Sequence, residues 1–350
     1  MDFSLIIPCY NEEENLRVFI PTAIARLEAL DASCEMVFVD DGSSDATFQV
    51  IEEQIAAYEK QVGRSDERAA APRRDGSPQH DGAPAGSGGD AAIGGNRLSF
   101  RIIGFSRNFG KESAMFAGLE QASGDVLGFI DADMQQDPAV AVRMFNVLKE
   151  DPSCDCVAAV QERRRESLPM RALKRLFYRM FKDMSDLDIV EGASDFRVFT
   201  RQVADALLSL REHFRFSKGL FSWVGFSTRV VTYKVHDRYA GKSKWTLRDL
   251  FGYAWNGVVA FSTWPLRMAM VLGVVLAIVS LVLLGIDFVD SMVLHDGVSM
   301  GRVLVYVVLL MGGIQMMVLG VFGEYLARAY LESKKRPLYI VRRVREIKAR

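Results

Sequence analysis

Residues 268–286 (MAMVLGVVLAIVSLVLLGI) and 303–323 (VLVYVVLLMGGIQMMVLGVFG) contain no Asp, Glu, Lys or Arg. At ~1.5 Å per residue, each is about 30 Å long as a helix, which matches the core of a bilayer. Two buried helices of a water-soluble body would be the alternative. The runs lie almost adjacent and polar residues bracket both, which favours membrane spans over 266–286 and 303–325. The connector 287–302 holds three acids and one Arg, whereas Lys334, Lys335, Arg336, Arg342, Arg343, Arg345, Lys348 and Arg350 follow Glu324. The positive-inside rule puts that basic tail, 326–350, in the cytosol. Two spans return the chain to the side it left. Residues 1–245 are therefore expected in the cytosol too, giving a multi-pass protein of the cytoplasmic membrane with both termini inside.

The first 245 residues read differently. FSLIIP (3–8), EMVFVD (35–40), LSFRIIGF (98–105) and DVLGFID (125–131) are short apolar runs bounded by turn residues. Continuous apolar strands suit a parallel sheet covered on both faces. Helical patterns lie between them, near 13–30, 44–59, 110–122 and 138–149. This alternation predicts a doubly wound α/β domain, with ligands at the carboxyl ends of its strands. Polar clusters fall at three of those ends: Pro8 to Glu12, Asp40 to Asp45, and Asp131 to Gln135. Residues 60–97 are rich in Gly, Ala, Pro and charge, and are expected as a disordered surface loop. Residues 169–185 place Arg171, Lys174, Arg175, Arg179 and Lys182 opposite Leu173, Phe177, Met180, Phe181 and Met184. That pattern predicts a basic amphipathic helix at an anionic membrane surface. Residues 246–265 carry aromatics just before the first span, as a juxtamembrane belt would.

Net charge is −1, which argues against a nucleic-acid partner. The four cysteines form no CxxC pair, so neither zinc nor a disulfide framework is expected. GFIDADMQQDP (128–138) is more informative, because an apolar strand ends there in carboxylates. Burying an unpaired carboxylate is costly, so such acids meet water, a cation or a donor. Asp131 and Asp133 can converge on one hard cation, Mg²⁺ or Mn²⁺, with Gln135 one step along. Mg²⁺ favours one or two carboxylates plus substrate phosphates, so a nucleoside diphosphate is its natural companion. GxGxxG is absent after the first strand, and GFSRNFGKE (104–112) fails as a Walker A loop in spacing and in its final residue. A metal-assisted transferase using an activated diphosphate remains.

IPCYNEEENL, VFVDDGSSDAT, FSRNFGKESAMFAGLEQASGD and FIDADMQQDP resemble the inverting GT-A glycosyltransferases of family 2. GASDFRVFTR, RFSKGLFSWVGF, RYAGKSKW, FSTWPLRM and GVFGEYLARAYLESKKRPLYIV are similar, more narrowly, to the polyisoprenyl-phosphate hexose synthases. These include bacterial undecaprenyl-phosphate glucose synthases and, more distantly, dolichyl-phosphate mannose synthases. The likeness runs almost end to end, apart from residues 60–97.

The resemblance implies a GT-A domain followed by a two-helix transmembrane hairpin, and it implies residue roles. Pro8, Tyr10, Glu12, Val39, Asp40, Asp41 and Ala132 would line the nucleotide-sugar pocket, with either Asp40 or Asp41 accepting the base's ring N–H. Asp131, Asp133 and Gln135 would hold the metal. Arg238 and Lys244 would face the phosphates, with Lys242 and Ser243 between them. Asp195 and Arg197 would lie near the sugar or the acceptor. Where relatives carry an Arg at the fifth strand's end, this chain reads VAAVQERRRE, with Gln161 at that place and Arg163 and Arg164 nearby. The implied reaction moves a hexose, glucose foremost, from a UDP-sugar to a polyprenyl phosphate. A GDP-mannose donor and a non-catalytic nucleotide-binding scaffold are the alternatives. Relatives also imply a homo-oligomer assembled through the spans.

Overall fold

The computed structural model describes residues 1–70, 98–162, 193–234 and 300–347, together with ten helical positions between 268 and 286. The first five strands are β1 (Phe3–Cys9), β2 (Cys34–Asp40), β3 (Leu98–Phe105), β4 (Val126–Phe129) and β5 (Cys156–Gln161). Three more complete the sheet: β6 (Ala193–Thr200), β7 (Thr228–Tyr233) and β8 (Val341–Ile347). The eight strands run in the order β7-β5-β6-β4-β1-β2-β3-β8. Strands β4, β1, β2 and β3 are parallel neighbours, while β6 and β8 are antiparallel to the strands beside them, apart from the parallel β5–β7 pair.

The period-two pleat explains why the inner strands are apolar throughout. On β1, Leu5 and Ile7 face one core while Ile6 faces the other; on β2, Met36 and Phe38 oppose Val37 and Val39. The first core is roofed by α1 (Glu13–Glu28), α2 (Thr47–Ala70) and α4 (Pro138–Glu150), through Phe19, Ile51 and Met144. The second is roofed by α3 (Lys111–Gln121), α5 (Arg201–Ser209) and α6 (Ser217–Trp223), through Met115, Leu207 and Phe221. Each fully buried large side chain contributes roughly 1.5–3 kcal/mol, so these two layers hold the sheet. Helix α3 lies so close to β1 that a Cβ at Gly118 would stand 2.2 Å from Ile6 Cγ2.

Two expectations are corrected. Helix α2 continues to Ala70, eleven residues past its predicted end and into the segment expected as a disordered loop. Lys60, Gln61, Arg64, Glu67, Arg68, Ala69 and Ala70 are good helix formers, and Gly63 among them does not end the helix. Residues 71–97 lie outside the described residues. The basic tail 326–350 is more than a tail. Its first part continues α7 (Met300–Ser333), and Val341–Ile347 is the edge strand β8. Its positive charge has local uses: Arg345 meets Glu52 at 2.5 Å, and the Arg343 guanidinium lies 3.3 Å over the Phe48 ring.

Leu310–Ser333 of α7 is long and apolar enough to cross a membrane, and none of its hydrophobic window is buried. Leu319, Phe322 and Leu326 are exposed along it, as are Val275, Ile278 and Val282 in the earlier apolar run. The described residues give one such helix where the sequence predicts two. The amphipathic segment 169–185 and the juxtamembrane segment 246–265 lie outside the described residues.

Candidate active site

The crevice is built by polar links that run from one strand end to the next. Asn11, held at φ 54°, donates its amide to Ser43 Oγ (2.9 Å), and its own Oδ1 accepts from the Ser44 amide (2.8 Å). Glu12 N donates to Thr47 Oγ1 (2.8 Å), and Ala46 N donates to Glu13 Oε2 (3.0 Å). These bonds lace the loop after β1 to the loop after β2. The next link is Asp41. Its two carboxylate oxygens accept from the amides of Phe109 (2.6 Å) and Gly110 (2.9 Å), in the loop after β3. Gly42, at φ 65°, lets this happen: a Cβ there would lie 2.4 Å from the carbonyl carbon of Arg107. Burial pushes the Asp41 carboxyl up to about 6, the two amides opposing it and Asp40 adding to it.

The third link crosses to β4. Lys111, first residue of α3, places its ammonium 2.7 Å from Asp131 Oδ1 and 3.2 Å from Asp195 Oδ2 on β6. Desolvation works to lower its pKa, but the two carboxylates outweigh that and hold it well above the ordinary lysine range. Reciprocally, burial would raise Asp195, yet Lys111 and then Lys218 bring it below the usual carboxylate value. The fourth link joins α3 to α6. Glu112 accepts from Ser217 N (3.1 Å) and from the Ser217 hydroxyl. Burial raises the Glu112 carboxyl, and the Asp195 charge adds to that.

The three acids of GFIDADMQQDP have separate fates. Asp131 meets a cation, Lys111. Asp133 is 94% buried and its Oδ1 accepts from the Gln135 amide (3.1 Å), in a turn where Met134 takes φ 61°. Asp137 caps α4 through the Ala139 amide (2.8 Å), with Pro138 at the first helical position. Buried Gln136 also accepts from Asp131 N (3.2 Å), fixing the first acid's backbone. Among the described residues no three His, Cys, Asp or Glu side chains stand ready to share a metal. Two carboxylates at one strand exit, one already holding an ammonium, nonetheless suit a hard cation that completes its shell with substrate oxygens.

The remaining expected residues fall as follows. Pro8 and Glu12 are partly buried, Tyr10 is exposed, and Val39 and Ala132 are buried, all at the exits of β1, β2 and β4. Asp40 Oδ1 accepts from Ser43 N (3.0 Å). Arg197 is buried on β6, its guanidinium 4.5 Å over the Phe221 ring. Gln161 is exposed at the end of β5, opposite Tyr233. Arg238, Lys242, Ser243, Lys244, Arg163 and Arg164 lie outside the described residues. Sequence reasoning missed Lys111, Glu112, Gln136 and Ser217. Lys111 carried a usable signal: it follows the third strand's exit, where the rule that selected Asp131 applies equally.

A mostly parallel sheet with an acidic pair at one inner strand's exit, beside loops laced into a pocket, defines a GT-A-type glycosyltransferase. The chain belongs to glycosyl transferase family 2, whose model matches residues 4–64 and 75–208. It is 32% identical to the putative glycosyltransferase CsbB of Bacillus subtilis, over 97% of this chain and 91% of that one. It is 33% identical to the prophage bactoprenol glucosyl transferase homolog of Escherichia coli, over 99% and 100%. It is 34% identical to the bactoprenol glucosyl transferase of Shigella phage SfV, over 98% of each chain. Among solved structures, glucosyl-3-phosphoglycerate synthase from Mycobacterium tuberculosis overlaps 74% of this chain and 77% of its own, at TM-score 0.43 and 16% identity.

Proposed function

We propose that this glycosyltransferase moves a hexose, glucose foremost, from a UDP-sugar to a polyprenyl phosphate at the cytosolic membrane face. The carrying observation is the cation-holding acidic exit of β4 in a chain whose α7 offers a bare apolar helix. The names of the full-length relatives, bactoprenol glucosyl transferases, support the donor sugar and the lipid. The end of α7 touches the domain, since Glu332 accepts from the His213 amide (2.6 Å), and β8 then joins β3. This supports a topology in which the catalytic domain and the basic tail share one side of the membrane. Two spans, 266–286 and 303–325, satisfy it.

Asp41 spends both oxygens on backbone amides, while no described residue donates to Asp40 Oδ2. The open oxygen supports Asp40 over Asp41 as the acceptor of the base's ring N–H. Pro8, Tyr10, Glu12, Val39 and Ala132 line the same pocket. Asp131 and Asp133, with Gln135, would hold Mg²⁺ or Mn²⁺, which supplies charge neutralisation for the departing diphosphate. Arg238 and Lys244 are proposed to face the same phosphates. No strong base is needed at the acceptor, because a phosphate monoester with a second pKa of about 6 is already largely anionic near neutral pH. The residues position it for one in-line displacement with inversion at the anomeric carbon. Membranes holding the protein, given radiolabelled UDP-glucose and undecaprenyl phosphate, are expected to yield an acid-labile labelled lipid. Nucleotide binding without labelled lipid would overturn the enzyme reading, and label from GDP-mannose alone would overturn the donor.

A further inference from the structure

One cation beside the site has no role in that reading. Lys218, the second residue of α6, is partly exposed and forms no hydrogen bond or ion pair with a described residue. Its charge nevertheless acts on Asp195, behind Lys111 alone among the attractive charges there. Its place is not accidental. Glu112 follows Lys111, Ser217 precedes Lys218, and the Glu112 carboxylate accepts twice from Ser217. That clamp sets two lysines, one from α3 and one from α6, beside the same half-buried acid. On Asp195, Oδ2 takes Lys111, while Oδ1 is buried without a hydrogen-bond partner among the described residues.

The charges argue for a missing anion. Lys111, Lys218 and buried Arg197 all act on Asp195, and Lys111 shares itself with Asp131. Once Asp131 gives its charge to a divalent cation, Lys111 loses one of its two partners. Three cations then face two carboxylates, Asp195 and Glu112, which leaves positive charge in excess. An ammonium presents three donors, and those of Lys218 go unused by the described protein. A phosphate monoester brings about −1.5 to −2 charges and three acceptor oxygens, which matches what two lysines lack.

We propose that Lys218, with Lys111 beside it, seats the phosphate monoester of the acceptor, and that Glu112 is the positioning residue that holds the seat together. This deepens the polyprenyl-phosphate reading and rests on it. The test uses full-length protein in detergent micelles, with undecaprenyl phosphate, phosphate-free undecaprenol, soluble glycerol 1-phosphate and UDP as separate probes. Lys218→Gln is expected to weaken undecaprenyl phosphate binding about tenfold, the scale of one charge-assisted hydrogen bond. UDP and undecaprenol binding stay unchanged, and Lys218→Arg restores most of the loss. Ser217→Ala is expected to raise the KM for the lipid with the donor KM unchanged; mere loosening of the fold would move both. Equal lipid affinity in Lys218→Gln, or loss of UDP affinity in its place, overturns the seat. A wild type that binds undecaprenol as well as its phosphate overturns the acceptor reading itself. Glycerol 1-phosphate binding with the same Lys218 dependence keeps the seat and moves the acceptor from lipid to a soluble monoester.

Discussion

The two halves of the crevice are made differently. On the β1–β2–β3 side, loops bind loops: Asn11 to Ser43 and Ser44, Glu12 to Thr47, Asp41 to Phe109 and Gly110. Most partners are neutral backbone amides, and these loops are tied to one another without help from a ligand. On the β4–β6–α6 side, charges meet charges: Lys111 with Asp131 and Asp195, and Lys218 with no direct partner among the described residues. That half is left for substrate to finish. The difference teaches where rigidity belongs: under the proposed function the loops that receive the nucleotide are fixed by neutral hydrogen bonds, whereas the side that receives metal and acceptor keeps exchangeable counter-charges.

Asp133→Asn strikes the exchangeable half hardest. Turnover in washed membranes with saturating metal is expected to fall by about 10³, with the apparent Tm of the purified protein unchanged. A drop in Tm as large as that of a core substitution would erase the contrast. Lys111→Gln sharpens it. Removing the ammonium leaves Asp131 free for metal, so Mn²⁺ titration by electron paramagnetic resonance should show affinity rising several-fold while turnover falls about tenfold to a hundredfold. The smallest effect tests the laced half. Asp41 is raised on folding, so the stability it contributes is fully present below its unfolded value near 3.8 and is lost as pH rises through about 6. Asp41→Asn does not ionise. Its stability relative to wild type, read from denaturant unfolding, should therefore climb between pH 4 and 7, by about 3 kcal/mol. A flat difference across that window would detach Asp41 from the account.

Much of this contrast could be read from the chain. Strand exits at Pro8, Asp40 and Asp131 were visible because apolar runs stop there in polar residues. The partners across the crevice were not visible, since a period-two or period-3.6 pattern carries no information about which loops meet. Lys111 lies in GFSRNFGKE, whose spacing fits no phosphate-binding motif, and the two acids it joins lie 20 and 84 positions further on. Ser217 and Lys218 sit in RFSKGLFSWVGF, which carries the family resemblance but whose residue types name no particular chemistry. Strand β8 was hidden for another reason: VRRVREI reads as a charge run, and the acids and aromatic ring that use its arginines lie far back in the chain.

That last strand has a consequence for how the molecule is made. Glu346 of β8 meets Arg101 of β3 across 245 positions. At roughly 5–20 residues per second, the ribosome needs on the order of tens of seconds to bridge such a gap. Throughout that interval the outer rim of β3 waits with its amides bare, an invitation to the wrong neighbour. Helix α7 emerges first, so the long apolar helix is made before the strand that seals the sheet. Closure of the nascent domain is thereby held back until the apolar helix has been made, by nothing more than where seven residues fall in the sequence.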